Sequence, residues 1–146
     1  MISFDTNVLF PAVVEDHPAH GAASGWLASL AGREDVAVSE LVLIELYVLL
    51  RQPAVMARPL DAPSAAGVCQ AFRHHPRWRL IGFPGHASDL HERMWREAAA
   101  PGFPRTRIYD VRMALSLLAQ GVVEFATVNL RDFRGLGFRR VFDPLR

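Results

Sequence analysis

Four carboxylates interrupt the most apolar stretches of this 146-residue chain, and any fold it adopts must accommodate them. Asp5 follows Met1-Ile2-Ser3-Phe4, and Glu45 stands inside Leu41-Val42-Leu43-Ile44-Glu45-Leu46-Tyr47-Val48-Leu49-Leu50. Asp110 precedes Val111-Arg112-Met113-Ala114-Leu115, and Asp132 comes shortly after Ala126-Thr127-Val128-Asn129. A buried carboxylate without a partner costs several kcal/mol, so a fold that keeps several of them needs compensating charge. One divalent cation shared among the four is the economical form of that charge. The pattern therefore points to metal-dependent chemistry.

Elements around these residues alternate in type. Residues 1–4 read as a strand that delivers Asp5 at its C-terminal end, and Thr6 to Val14 as a short helix. Gly21 to Leu30 is a second helix, Val36 to Val38 a strand, and Ser39 has the side chain of a helix N-cap. The following helix, Glu40 to about Arg51, is apolar nearly all round and is expected to be buried on several sides. A connector with Pro53, Pro59 and Pro63 leads to a helix over Ser64–Phe72. Arg79–Phe83 reads as a strand, His86–Ala100 as an amphipathic helix, and Asp110–Gln120 as a helix closed by Gly121. Val122–Val128 and Arg140–Phe142 read as the last strands. Such alternation implies one α/β domain over residues 1–146, three-layered α/β/α, with a central, mainly parallel sheet. Ligands of open parallel sheets bind beyond the C-terminal strand ends, where Asp5 and the segment Thr127–Asp132 fall.

Composition excludes several classes. No apolar run approaches the roughly 18 residues of a membrane span. The N-terminus lacks the basic flank of a secretory signal. The single cysteine, Cys69, allows neither an internal disulfide nor a cysteine-based zinc site. A soluble, cytoplasmic protein is expected. Charge is unevenly spread: residues 1–73 hold 4 Arg and 8 acids, and residues 74–146 hold 12 Arg and 7 acids. All 16 basic residues are arginine, whose planar fork suits phosphate. GC-rich coding accounts for missing lysines equally well, but not for the clustering. Arg105, Arg107 and Arg112 flank Asp110, and Arg131 and Arg134 flank Asp132. They are candidate contacts for substrate phosphates; a solvated surface is the bland reading of each.

Each acid also has an ordinary structural reading. Asp5 caps the helix that starts at Thr6, Asp110 belongs to a helix start, and Asp132 belongs to a polar turn. Glu45 resists such a reading, because its neighbours at i±3 and i±4 are Leu41, Val42, Val48 and Leu49. His17, His20, His74 and His75 converge too little for a metal site. Trp26, Trp78 and Trp95 read as core or interface, and Cys69 as an inert buried thiol.

Taken together, the segments resemble the PIN domain, and within it the toxin nucleases of bacterial VapBC toxin–antitoxin pairs. The matching pieces are Ile2-Ser3-Phe4-Asp5-Thr6-Asn7-Val8-Leu9, Ser39-Glu40-Leu41-Val42-Leu43-Ile44-Glu45-Leu46, Tyr109-Asp110-Val111-Arg112-Met113-Ala114-Leu115 and Ala126-Thr127-Val128-Asn129-Leu130-Arg131-Asp132-Phe133. The resemblance implies that Asp5, Glu45, Asp110 and Asp132 form an acidic metal cluster, with Thr127 and Asn129 lining or orienting it. Many relatives have alanine after the third acid, where this chain has Val111. The resemblance further implies an endoribonuclease, a small VapB-like antitoxin as partner, RNA as substrate and a homodimer.

Carboxylates without imidazole or thiolate suit Mg²⁺, with Mn²⁺ as an alternative. Asp5 and Asp110 are the inner-sphere candidates; Glu45 and Asp132 would act through water or a second ion. Two other readings compete. A non-catalytic PIN-like RNA-binding or scaffolding domain would be favoured by loss of the acids, and all four are present. An aspartate-dependent phosphohydrolase would carry a second Asp where Asn7 stands.

Overall fold

Five strands of three residues each run parallel through the molecule: β1 (Ile2–Phe4), β2 (Ala37–Ser39), β3 (Arg79–Ile81), β4 (Glu124–Ala126) and β5 (Arg140–Phe142). The computed structural model describes residues 1–146. In one part of the sheet β4 lies between β1 and β5, with Ser3 opposite Phe125 and Phe125 opposite Val141. In the other, β2 pairs with β3. A bridge between Ile2 and Val36 joins the two parts, and the Ile2 amide donates to the Asp35 carbonyl at 2.8 Å. The spatial order is thus β3-β2-β1-β4-β5.

Seven helices connect these strands: α1 (Thr6–Val13), α2 (His20–Leu30), α3 (Glu40–Leu50), α4 (Ala62–Arg73), α5 (Ala87–Ala98), α6 (Arg107–Ala119) and α7 (Leu130–Phe133). Crossovers between parallel strands are right-handed. The chain steps outward from β1 to β3 in one direction and from β4 to β5 in the other, so the connections fall on opposite faces. The contacts agree: α1 packs on α2 and α3, and α3 on α4, whereas α5 packs on α6 and α6 on α7. This is the expected layered α/β arrangement, with every strand pairing parallel.

The core fills the space between sheet and helices. Phe4 meets Trp26 and Trp78 edge-on at 6.2 and 5.7 Å. Phe125 packs on Phe133 and Phe138 at 4.6 and 5.2 Å. Cys69 is buried, as its apolar helix face predicts. No helix is long and apolar enough to cross a membrane.

Local rules place several boundaries. Ser39 caps α3, accepting from the Leu41 amide at 3.2 Å. Asp61 caps α4 by accepting from Ser64, so that helix begins at Ala62 and carries Pro63 in its first turn, earlier than the expected Ser64. Three expectations need correction. Helix α6 begins at Arg107, so Asp110 lies in its first turn rather than at its start. Asp132 sits in the short helix α7, not in a plain turn. Helix α3 buries only the Val42, Leu43, Leu46 and Leu50 face, leaving Ile44 60% and Val48 56% exposed. An apolar residue can rim a groove as readily as fill a core, and periodicity does not distinguish the two. The strands at Arg79–Phe83 and Val122–Val128 shorten to three residues each, because pairing partners extend no further.

Candidate metal centre and active site

Strand order reverses between β1 and β4, and ligands of open α/β sheets bind at such a switch point. Asp5 leaves the C-terminal end of β1 there, its amide donating to the Ala126 carbonyl at 2.9 Å. Its carboxylate is buried and saturated with donors. Oδ1 accepts from the Thr6 amide at 2.7 Å. Oδ2 accepts from the Thr127 hydroxyl at 2.7 Å and from Asn7 Nδ2 at 2.8 Å. The capping reading of Asp5 is therefore correct, and it does not exhaust the residue.

Thr127 and Asn7 form a brace across the switch point. The fully buried Thr127 hydroxyl accepts from the Asn129 amide at 3.0 Å, and Asn7 Oδ1 accepts from the Val128 amide at 3.2 Å. Both ends of the β4–α7 turn are thereby tied to the β1–α1 turn. Thr6 reaches the other way: its hydroxyl donates to Glu45 Oε2 at 2.6 Å.

An open cleft of about 570 Å³ lies here, with Asp5, Thr6, Asn7, Glu45, Asp110 and Asn129 in its lining. Glu45 is exposed on α3, contrary to the expectation of a buried glutamate, because the unburied side of α3 forms the cleft wall. Asp110 is half-buried on α6. Asp132, also half-buried, is not part of the lining, but its charge is felt by Asp110.

Electrostatics tie the four acids together. Burial pushes the Asp5 carboxyl up to about 6, against the hydrogen bonds from Thr127 and Thr6; Glu45 and Asp110 push the same way as burial. Asp110 also rises to about 6, through desolvation first and then through Asp132 and Glu45, with Arg107 opposing. None of the four acids forms an ion pair, although six ion pairs exist elsewhere. The excess negative charge is uncompensated by any paired side chain.

The sequence of the chain matches the PIN domain family over residues 2–80. It is 50% identical over 145 residues to ribonuclease VapC24 of Mycobacterium tuberculosis, covering 99% of this chain and 97% of that protein. The chain belongs to the PIN-domain family. Solved structures with this PIN fold include the sarcin-ricin loop cleaving toxin VapC20 of M. tuberculosis, with TM-score 0.68 and 22% identity over 94% of this chain and 96% of that one. VapBC2 of Rickettsia felis, bound to a DNA fragment from its promoter, matches with TM-score 0.67 and 18% identity, covering 98% of this chain and 100% of that one.

In this PIN domain, the donor set can be tested against a metal. It is all oxygen, two of its carboxyls are held near 6, and no arginine pairs with it. These features fit a hard divalent cation. No group of three ligating side chains is arranged to hold an ion by itself, which is compatible with Mg²⁺, an ion that keeps several waters and takes one or two carboxylates directly.

None of the five arginines singled out from the sequence is in the cleft lining, although the charge of Arg107 is felt at Asp110. Arg105, Arg131 and Arg134 are exposed or nearly so, and Arg107 and Arg112 are half-buried. Thr6 and Asn7 belong to the site without having stood out in the sequence. Asp-Thr-Asn is legible as a capping sequence, but the partners of Thr6 and Asn7 lie 39 and 120 residues away. His17 packs edge-on against Phe10 at 5.9 Å, as a packing histidine should, and also borders the cleft.

Proposed function

We propose that this PIN domain is the toxin of a cytoplasmic VapBC-type toxin–antitoxin pair and cuts RNA as a metal-dependent endoribonuclease. The observation that carries the proposal is the switch-point cleft, whose acids have no cationic partner, in a chain half identical to a named ribonuclease. Asp5 and Asp110 would hold Mg²⁺ or Mn²⁺ directly, with Glu45 and Asp132 acting through water or a second ion. Held by these residues, a divalent ion would supply Lewis-acid activation of water and of the phosphodiester.

The remaining work falls to this chain's own side chains. Thr127 and Asn7 fix the Asp5 carboxylate by two hydrogen bonds to one oxygen, leaving its direction little freedom. Thr6 holds Glu45 Oε2 and so directs how this exposed glutamate faces the cleft. Outer partners of this kind commonly account for 10- to 100-fold in metal affinity or activity, as an order of magnitude. Asn129 lines the cleft along with Asp110. The flanking arginines Arg105, Arg107, Arg112, Arg131 and Arg134 would attract the RNA backbone toward an otherwise repulsive acidic cleft.

A toxin needs restraint, and a VapB-like antitoxin is the partner this reading calls for. The exposed Ile44 and Val48 flank Glu45 on α3 and provide apolar surface on the helix that carries it. A homodimer is part of the same reading. The test is cleavage of purified total RNA by partner-free protein with Mg²⁺ or Mn²⁺ against EDTA, alongside Asp5→Ala and Asp110→Ala. Discrete, metal-dependent cuts that disappear in both variants are expected. Full activity of a well-folded Asp110→Ala protein removes that residue from the proposal.

A further inference from the structure

The two helices that bring acids to the cleft, α3 with Glu45 and α6 with Asp110, carry exposed edges that differ in chemistry. The α3 edge is aliphatic, through Ile44 and Val48. The α6 edge is aromatic and cationic. Tyr109, immediately before Asp110, is 68% exposed, and its hydroxyl has no hydrogen-bond partner within the molecule, whereas the other tyrosine, Tyr47, is held by Arg51. Close by on α6, Arg112 lies 4.9 Å from the centre of the Phe83 ring, itself 62% exposed. At the start of α6, Arg107 lies 5.9 Å from the Phe103 ring.

These arginines are held by aromatic rings and not by acids. Neither Arg107 nor Arg112 forms an ion pair, and the buried Nε of each has no acceptor. Exposed Arg105 is likewise free of carboxylate partners. Of the four arginines that lie on aromatic rings, Arg140 also pairs with an acid and Arg51 with the Tyr47 hydroxyl, whereas Arg107 and Arg112 do neither. A guanidinium held on a ring, with donors left over, is set to receive phosphate. An exposed tyrosine beside it offers a face for stacking. Neither Tyr109 nor Phe83 contributes to the core, so both rings are open to a partner.

We infer that the α6 edge is a track for single-stranded RNA, with an unpaired base stacking on Tyr109 and the adjoining phosphates held by Arg107 and Arg112. The inference rests on the ribonuclease reading and deepens it, making Tyr109 a substrate-positioning residue. Duplex RNA keeps its bases stacked on one another and has no face to give to Tyr109, so the edge selects single strands. The α3 edge also carries an arginine on a ring, Arg51 at 5.3 Å from Tyr47, but that ring is only half-exposed and its hydroxyl is taken by Arg51, so it offers no free stacking face like that of Tyr109.

The test uses the full chain with a fluorescein-labelled RNA of about 12 nucleotides, a length within the site size of single-strand binders. Anisotropy is read in EDTA, so that binding is measured without cleavage, for the single strand and for the same strand annealed to its complement. Wild type should prefer the single strand. Tyr109→Ala should weaken single-strand binding by about 5- to 100-fold, leave duplex binding unchanged, and keep its fold, because the side chain is exposed. Tyr109→Phe should bind like wild type. Equal binding of both strands, no binding by wild type, or wild-type affinity in Tyr109→Ala overturns the inference. Cleavage in Mg²⁺, judged by its loss in Asp110→Ala, decides the ribonuclease reading separately. Wild-type cleavage rates and sites in Tyr109→Ala would leave that reading standing and remove this one.

Discussion

Replacing Asp5 by asparagine should make the metal-free protein more stable near pH 8, although it alters the centre of the site. Burial raises the Asp5 carboxyl from 3.8 in its ordinary state to about 6 in the fold. At about 1.4 kcal/mol per pH unit, the ionised side chain costs the fold about 3 kcal/mol above pH 7. Because the folded value lies above the unfolded one, the native state holds more protons between about pH 4 and 6. Stability of the metal-free protein therefore falls as pH rises through that window and levels off beyond it. Asp110 shifts in the same direction, with a smaller effect because its half-exposed carboxylate is screened by solvent.

The Asp5→Asn substitution removes the charge but retains an oxygen for the Thr6 amide. The new NH₂ group would face Thr127 and Asn7, which now donate to Asp5 Oδ2; that mismatch costs about 1–2 kcal/mol. The net gain at pH 8 is about 1–2 kcal/mol. At pH 5 the ionisation penalty falls to about 1.6 kcal/mol and the advantage vanishes. Urea denaturation in EDTA at both pH values measures the difference directly. Added Mg²⁺ should then stabilise wild type and not the variant, since only a ligand of the native state shifts the midpoint. A variant less stable than wild type at pH 8, or the same difference at pH 5 and 8, would refute the reasoning.

Other perturbations probe the supports. Thr6→Val removes the 2.6 Å bond to Glu45 and should lower RNA cleavage about 10-fold or more, as for other outer partners of metal ligands; Thr6→Ser should restore it, and an unchanged rate would show that Glu45 needs no such hold. Phe133→Ala empties a fully buried site packed on Phe125 and should cost about 3–5 kcal/mol in chemical denaturation. Phe133→Leu should retain most stability and the position of Asp132. If three to five of the flanking arginines contact phosphates, the logarithm of RNA affinity should fall with that of salt with a slope of about −2 to −3.5. A flat response in anisotropy titrations would remove them from the interface.

Much of the architecture follows from short-range rules. Asp5 at the end of β1, Ser39 as the cap of α3, Gly121 at the close of α6 with φ of +87° and the strand at Arg140–Phe142 are all decided within a turn or two of chain. Gly121 shows why: the left-handed conformation is open to glycine at little cost, so the residue type alone marks the helix end. The four acids are legible for a related reason, since charge inside apolar sequence is costly wherever it lands. The PIN resemblance, which the family match bears out, supplies the proposal of their joint role.

Other features depend on where the crossovers carry the chain. The apolar neighbours of Glu45 suggest burial, yet α3 meets the core along one face only and leaves Glu45, Ile44 and Val48 exposed, with Glu45 in the cleft wall. Thr6 finds Glu45 on another helix, and Asn7 finds Thr127 across the sheet. Neither pairing has a local signature, because hydrogen-bond partners separated by tens of residues are chosen by strand order. Composition and periodicity report how each segment divides between oil and water; only the parallel pairing of β1 with β4 brings Thr127 beside Asn7 onto the same oxygen of Asp5.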